Sequence, residues 1–213
     1  MSPHVVLLGD SIFDNAAYTV GGPDVVRQLR QMLAEGSVAS LLAVDGHRTD
    51  DVSHQVTELP ADATHLILSV GGNDALGHID ILERPAASSA QVLGLLAQVA
   101  GDFEDRYRRL VTNLMGRRLP LVLCTIYNGN FPEASYQRLA STALCVFNDA
   151  ILRVAFERRL GVIDLRLVCS EAADYANSIE PSVAGGSKIA RAVVTAVEAM
   201  HAPPQGVSYV VAR

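Results

Sequence analysis

Short apolar runs recur along the chain, and a glycine or a polar turn residue closely follows each of them. Runs of four to eight residues rich in Val, Ile and Leu are typical of buried β-strands, and the polar break marks where the strand ends. The pattern predicts five strands, at residues 5–8, 38–44, 64–70, 120–125 and 161–164.

Between these runs, apolar positions recur at the three- and four-residue spacing of an amphipathic helix. This spacing predicts helices at residues 25–33, 136–160 and 189–197. A long helical stretch covers residues 88–118, and whether it is one helix or two helices broken near Gly101 stays open.

Strands that alternate with helices of ten or more residues indicate right-handed crossovers and a parallel sheet covered on both faces. We therefore predict an α/β fold in three layers with about five parallel strands. No second domain or internal repeat is visible, so residues 1–213 are expected to form a single domain. Residues 203–213 form a tail, in which residues 207–212 are a candidate edge strand or a candidate oligomer contact.

Glycines and polar side chains come directly after several predicted strands. Because the carboxyl ends of parallel strands meet at one edge of the sheet, Ser11, Gly46, Asn73 and the loop around Asn128 are expected to lie together there. This edge is where ligands bind in open α/β sheets.

Charge and composition narrow the class of partner. The formal net charge is -6 and no basic face is apparent, which argues against a nucleic-acid partner. No apolar run approaches the length of a membrane span, so no membrane partner is expected. The homo-oligomeric state stays open.

The three cysteines, Cys124, Cys145 and Cys169, lack metal-type spacing and stand in apolar surroundings. We expect buried free thiols. Together with a start that is strand-like and shows no leader pattern, this favours a cytoplasmic protein.

Ser11 is the candidate nucleophile at the edge formed by the carboxyl ends of the strands. A serine at a strand end is more often a turn former, but acyl transfer needs a serine near a base and near donors for the developing oxyanion. The candidate donors are the backbone N–H groups of Ser11 and Gly46 and the side-chain amide of Asn73.

Three ordered motifs resemble the first blocks of the SGNH, or GDSL-like, hydrolase superfamily. They read Gly9-Asp10-Ser11, then Gly46 with Thr49 and Asp51-Val52, then Gly71-Gly72-Asn73-Asp74. The resemblance implies a flavodoxin-like fold, Ser11 as nucleophile, and Ser11, Gly46 and Asn73 as the oxyanion hole. It also implies an esterase, lipase-like enzyme or deacetylase that acts on a small ester substrate through an acyl-enzyme.

The fourth block departs from the family pattern, which usually has an aspartate and a histidine before the last helix. Here Asn177 stands at the aspartate's position and Glu180 at the histidine's. A glutamate is ordinarily a weak base at neutral pH, because its pKa is about 4.3.

Three interpretations follow from this departure. Glu180 takes the serine proton and Asn177 orients it, or a histidine elsewhere, His47 or His78, has become the base. In the third interpretation, the domain binds an ester, a glycan or another small ligand without turnover.

The remaining acidic residues of the motifs are assigned supporting roles. Asp10 and Asp74 are expected to stabilise the turns that carry Ser11 and Asn73. The spacing of four residues resembles that of metal ligands: His47, Asp50, Asp51 and His54. Such spacing arises readily by chance, so no metal is expected. No glycine-rich phosphate loop is present, and no cofactor is predicted.

Overall fold

The computed structural model describes residues 2–200 and 209–212. Its centre is one sheet of six parallel strands in the order β2-β1-β3-β4-β5-β6. The strands are β1 His4–Gly9, β2 Val38–Leu41, β3 His65–Ser69, β4 Leu121–Cys124, β5 Gly161–Ile163 and β6 Val210–Val211. The predicted parallel α/β architecture is confirmed, with one strand more than the five apolar runs indicated.

Helices cover both faces of the sheet. They are α1 Val25–Met32, α2 Val52–Gln55, α3 Gly72–Leu76, α4 Ser89–Met115, α5 Ala134–Glu157, α6 Leu165–Val168 and α7 Val183–Met200. Side chains alternate along a strand, so β1 serves both layers. Val5 and Leu7 pack in a core with α1 and α7, whereas Val6 and Leu8 pack in a second core with α4 and α5.

The structure settles one question that the sequence left open and differs from the sequence-based expectation in two details. Helix α4 runs unbroken through Gly101, where a side chain would meet nothing within 4 Å, so the glycine provides no packing reason for a break. Strand β2 ends at Leu41 rather than at residue 44. Cys124 and Cys169 are buried free thiols as expected, but Cys145 is exposed because it lies on the outer side of α5.

The end of β1 shows why the chain needs glycine there. Gly9 has φ +127°, and a Cβ on it would lie 1.7 Å from the carbonyl oxygen of Ser69 on β3. The absence of a side chain lets β1 and β3 stay paired up to this point while the chain turns into Asp10 and Ser11.

The tail prediction is confirmed in part. Val210 and Val211 pair with β5 as the edge strand β6, while residues 201–208 lie outside the described residues. Contrary to the sequence-based expectation, helix α5 is long and apolar enough to cross a membrane by length and composition, a test that core helices of globular proteins also meet. Its Phe147, Ile151 and Val154 pack in the core against the sheet.

Candidate active site

Ser11 lies in a tight turn at the carboxyl end of β1. The carbonyl oxygen of Asp10 accepts hydrogen bonds from the N–H groups of Phe13 and Asp14, at 3.1 and 3.2 Å. These hydrogen bonds occupy the N–H groups of Phe13 and Asp14. Within the described residues, the N–H of Ser11 itself has no acceptor and is available to a ligand.

Glu180 lies directly against Ser11. The Ser11 hydroxyl donates to Glu180 Oε1 at 3.2 Å, although the two residues are 169 positions apart. Both side chains are buried. The second carboxylate oxygen, Oε2, is also buried and has no hydrogen-bond partner among the described residues. The fold thus brings together the candidate nucleophile and the glutamate that the sequence analysis considered as its base.

Burial changes the acidity of Glu180. Loss of water around the carboxylate raises its pKa from the ordinary value of 4.5 to about 7, and the negative charge of Asp45 adds to the increase. The hydrogen bond that Glu180 accepts from Ser11 lowers the pKa, but by less than burial raises it. A carboxylate with a pKa near 7 can act as a general base at neutral pH, which an ordinary glutamate does poorly.

Asn177 contacts the backbone of the Glu180 segment. Its Oδ1 accepts from the N–H groups of Ile179 and Glu180, both at 2.9 Å. The Glu180 carbonyl in turn accepts from the N–H of Ala176 at 2.8 Å, and the hydroxyl of Tyr127 donates to the Ile179 carbonyl. Asn177 therefore shapes the turn that presents Glu180, and its contact is with the main chain rather than the carboxylate.

Gly46 and Asn73 lie on neighbouring loops at the same edge. Gly46 has φ +80°, and no described residue accepts its N–H. The Asn73 side-chain amide donates one hydrogen to the carbonyl of His47 at 3.0 Å. The loop that contains Gly46 is tied to the Ser11 turn by a 3.0 Å hydrogen bond from the Asp45 N–H to Asp14.

Asp74 supports this arrangement from behind. It is buried and accepts from the N–H and hydroxyl of Thr49, at 3.0 and 2.9 Å, and Arg106 lies 3.6 Å from its other oxygen. Asp74 therefore joins the helix that carries Asn73 to the loop that follows Gly46.

Asp10 supports the serine turn. Its Oδ1 accepts from the N–H of Ile12 at 3.2 Å. Burial, followed by the nearby carboxylates of Glu180 and Asp74, raises the pKa of Asp10 to about 8, while the Ile12 hydrogen bond opposes the shift.

Neither of the two histidines considered as bases is a hydrogen-bond partner of Ser11 among the described contacts. The Nδ1 atom of His47 is 3.0 Å from the side-chain amide of Gln55, so this ring nitrogen is already engaged. His78 is an exposed residue on the wall of the pocket described below. Among the described hydrogen bonds, the partner of the Ser11 hydroxyl is Glu180 and neither histidine.

A pocket of about 120 Å³ opens beside Ser11, Asn73 and Glu180. Its inner wall is apolar and comes from the end of α3 and the segment after it, from the first half of α4, from the segment between β4 and α5, and from α5. The wall includes Leu76, Ile81, Leu82, Leu96, Val99, Ile126, Phe131, Ala140, Ala143, Leu144 and Phe147. The sequence analysis missed the helical members of this wall, because their apolar spacing does not distinguish a pocket wall from a core.

No metal centre is apparent within residues 2–200 and 209–212, where no group of three or more His, Cys, Asp or Glu side chains could hold an ion.

Comparison with known families decides the relationship. The sequence model of the GDSL-like Lipase/Acylhydrolase family matches residues 7–186, which include Ser11, Gly46, Asn73 and Glu180. The chain belongs to this family. Its members are ester-hydrolysing enzymes. A search of curated proteins finds no match to the chain.

Solved structures share the fold of this GDSL-like protein. A lipase from a goat rumen metagenome is 19% identical with a TM-score of 0.69, and the match covers 92% of this chain and 97% of that one. A phospholipase A1 from Streptomyces albidoflavus is 16% identical with a TM-score of 0.68, covering 92% and 100%. An acetyl xylan esterase from Geobacillus stearothermophilus is 19% identical with a TM-score of 0.64, covering 92% and 94%.

Proposed function

We propose that this GDSL-like protein hydrolyses carboxylic esters through a Ser11 acyl-enzyme, with Glu180 as the general base. The observation that carries the proposal is the 3.2 Å hydrogen bond from the Ser11 hydroxyl to Glu180 Oε1. This distance is at the outer end of the range expected for a nucleophile and its base before substrate binds.

The proposed acylation step transfers one proton. As Ser11 Oγ bonds to the carbonyl carbon, its proton passes to Glu180, and negative charge develops on the former carbonyl oxygen. The N–H groups of Ser11 and Gly46 and the amide of Asn73 are the donors for that oxygen, and the first two are free of other acceptors within the described residues.

The leaving alcohol then departs with the proton held by Glu180, and the acyl group stays on Ser11. In deacylation, Glu180 takes a proton from water while the water oxygen bonds to the acyl carbon. The bond to Ser11 Oγ breaks, Ser11 recovers its proton from Glu180, and the carboxylic acid is released. The cycle consumes one ester and one water, and the enzyme returns to its starting state.

The pocket favours esters with an apolar acyl group. Its walls on α4 and α5 are built mainly from Leu, Val, Ala and Phe, and these surfaces lie beside the nucleophile. Burial of each additional CH₂ of a chain there is worth roughly 0.8 kcal/mol. We therefore infer a preference for acyl chains longer than acetyl. We further propose that the substrate is a small-molecule ester in the cytoplasm.

The experiment is hydrolysis of p-nitrophenyl esters, together with labelling by a serine-directed phosphonate. Wild type is expected to release p-nitrophenol and to gain one phosphonyl group on Ser11, and Ser11→Ala should lose both. Ser37→Ala serves as a matched control at a half-buried serine on the opposite edge of the sheet, just before β2. Labelling that persists in Ser11→Ala would contradict the proposal.

A second candidate function is binding of an ester, a glycan or another small ligand without turnover. The observation that favours it is the unpartnered Oε2 atom of Glu180, which lacks the orienting partner that a catalytic base usually has. Well-folded protein that neither hydrolyses esters nor reacts with the phosphonate, yet is stabilised thermally by an unreactive ester analogue, would support this candidate.

A further inference from the structure

Gln55 occupies an unusual position between two parts of the site. It is buried at the end of α2, and its side-chain amide contacts both the end of β1 and the loop after Gly46. Oε1 accepts from the N–H of Gly9 at 2.8 Å, while Nε2 donates to the Gly9 carbonyl at 2.8 Å and lies 3.0 Å from His47 Nδ1.

These three contacts fix the orientation of the Gln55 amide and the tautomer of the His47 ring. The acceptor oxygen of Gln55 must face the Gly9 N–H, so the NH₂ group must face the carbonyl, and the amide has a single orientation. One hydrogen of Nε2 serves the Gly9 carbonyl and the other points to His47. Nδ1 of His47 is therefore an acceptor, and its ring proton is on Nε2.

The chain of contacts continues to the oxyanion donors. The backbone carbonyl of His47 accepts from the Asn73 side-chain amide at 3.0 Å, and His47 directly follows Gly46. Gly9 lies two residues before Ser11. One continuous path, Gly9–Gln55–His47–Asn73, thus joins the nucleophile's strand to the loop and the amide that carry the other two donors. We call it the Gln55 bridge.

We propose that Gln55 is a positioning residue that sets the spacing between Ser11 and the oxyanion donors, and that His47 acts as its brace rather than as the base. The inference rests on the proposed ester hydrolysis, because it assigns a role in forming that oxyanion hole. Gln55 and His47 touch no reacting atom in this proposal.

In this proposal Gln55 affects the geometry of the oxyanion site more than the stability of the fold. Oxyanion donors act when they lie about 2.7–3.1 Å from the developing charge, and loss of one such donor costs roughly 10²–10³ in kcat. Asp45 and Gly46 are exposed, so little packing holds this part of the loop. A hydrogen-bonded anchor from inside the fold restricts the donors without occupying the space that the substrate needs.

The first test compares Gln55→Leu with Gln28→Leu. Gln28 is equally buried and its Nε2 donates to two backbone carbonyls, of Pro23 and Val183, both at 3.0 Å. Gln55→Leu is expected to lower kcat roughly 10- to 100-fold with KM within about twofold, because donor placement matters in the transition state. Gln28→Leu should lower the melting temperature comparably and leave kcat within about threefold.

A double-mutant cycle with Asn73→Ala separates positioning from general destabilisation. If Gln55 acts through the oxyanion donors, Gln55→Leu should cost much less in the Asn73→Ala background than in wild type. Equal costs in both backgrounds would overturn the inference. Where Gln55→Leu fails to fold, Gln55→Glu replaces the Nε2 donor by an oxygen of similar size and is expected to show the same loss and the same coupling.

The brace role of His47 is tested by the conservative replacement. His47→Asn can keep an acceptor near the position of Nδ1, whereas His47→Leu cannot, and neither retains a ring base. The kcat of His47→Asn should therefore be at least about fivefold higher than that of His47→Leu. This factor is a small part of the roughly 10²–10³-fold loss in kcat that follows removal of one oxyanion donor. Equal, severe losses in both variants would indicate that the imidazole itself performs the proton transfer.

Nitrogen-15 NMR of the histidine ring gives a readout that needs no turnover. Wild-type His47 is expected as the Nε2–H tautomer, and Gln55→Leu should shift it toward a mixture. A wild-type Nδ1–H tautomer would contradict the bridge even if hydrolysis failed altogether. Ser11-dependent hydrolysis with normal kcat in Gln55→Leu would defeat this inference alone, whereas Ser11-independent hydrolysis would defeat the proposed function.

Discussion

Ser11 Oγ donates a hydrogen bond directly to Glu180 Oε1 at 3.2 Å. The carboxylate is buried, and the loss of water around it raises its pKa to about 7. The environment of the glutamate therefore compensates for its ordinary weakness as a base. Four predictions follow from this pair and its surroundings.

Replacing the carboxylate by an amide should remove most of the activity. Glu180→Gln keeps the size of the side chain but cannot accept the Ser11 proton, and general-base catalysis contributes roughly 10²–10⁴-fold. We expect kcat for a p-nitrophenyl ester to fall by about that factor. Glu58→Gln, at an exposed glutamate, is the matched control and should retain wild-type kcat. Full activity in Glu180→Gln would show that Glu180 is not the base.

The pH profile should show the raised pKa of Glu180. Because the base must be deprotonated, kcat/KM is expected to rise with pH through an apparent pKa of about 7 and then level off. An ordinary glutamate would place this limb near its usual value of 4.5. The measurement is ester hydrolysis from pH 4 to 8, and a profile that is already flat above pH 5 would contradict the assignment.

The same pKa predicts a change in stability with opposite sign to that of an ion-paired carboxylate. The folded pKa of about 7 exceeds the ordinary 4.5, so the folded state holds the proton more tightly between these values. The contribution to stability is full below pH 4.5 and is lost as pH rises to 7. Glu180→Gln should therefore be more stable than wild type at pH 8, by on the order of 1–3 kcal/mol.

The measurement is denaturant unfolding of both proteins at pH 4.5 and pH 8. At pH 4.5 the difference in unfolding free energy should nearly vanish, because Glu180 is then protonated in wild type. A constant difference at both pH values would mean that the amide acts through packing instead of through charge. Glu58→Gln again provides the exposed comparison.

Filling the pocket should change the preference for the acyl chain. Ala143 lines the pocket from α5, and Ala143→Leu adds bulk where a long chain would lie. We expect kcat/KM for an octanoyl ester to fall roughly tenfold while the acetyl ester changes little, since pocket methylenes are worth about 1–3 kcal/mol. Thr142→Leu, an exposed neighbour on the same helix, should leave the ratio of the two esters unchanged. An equal loss for both esters in Ala143→Leu would place the acyl group elsewhere.

Much of the fold was predictable from local patterns. The apolar runs at β1, β3, β4 and β5 and the glycine or polar turn residues after them predict these strands, because strand length and turn residues are local properties. The order of the motifs placed Ser11, Gly46 and Asn73 at one edge. The continuity of α4 was less accessible, since a glycine inside a helix costs only about 1 kcal/mol and tertiary packing can override it.

The sequence by itself determined the family, and it supplied the candidate nucleophile, the candidate oxyanion donors and Glu180 as a candidate base. Only the tertiary structure placed that glutamate against Ser11 and buried its carboxylate. Its contact with Ser11 and its raised pKa depend on burial and on the charge of Asp45, which are set by residues distant in the chain. The same holds for His47, because the contact that engages its ring exists only once α2 packs against the end of β1.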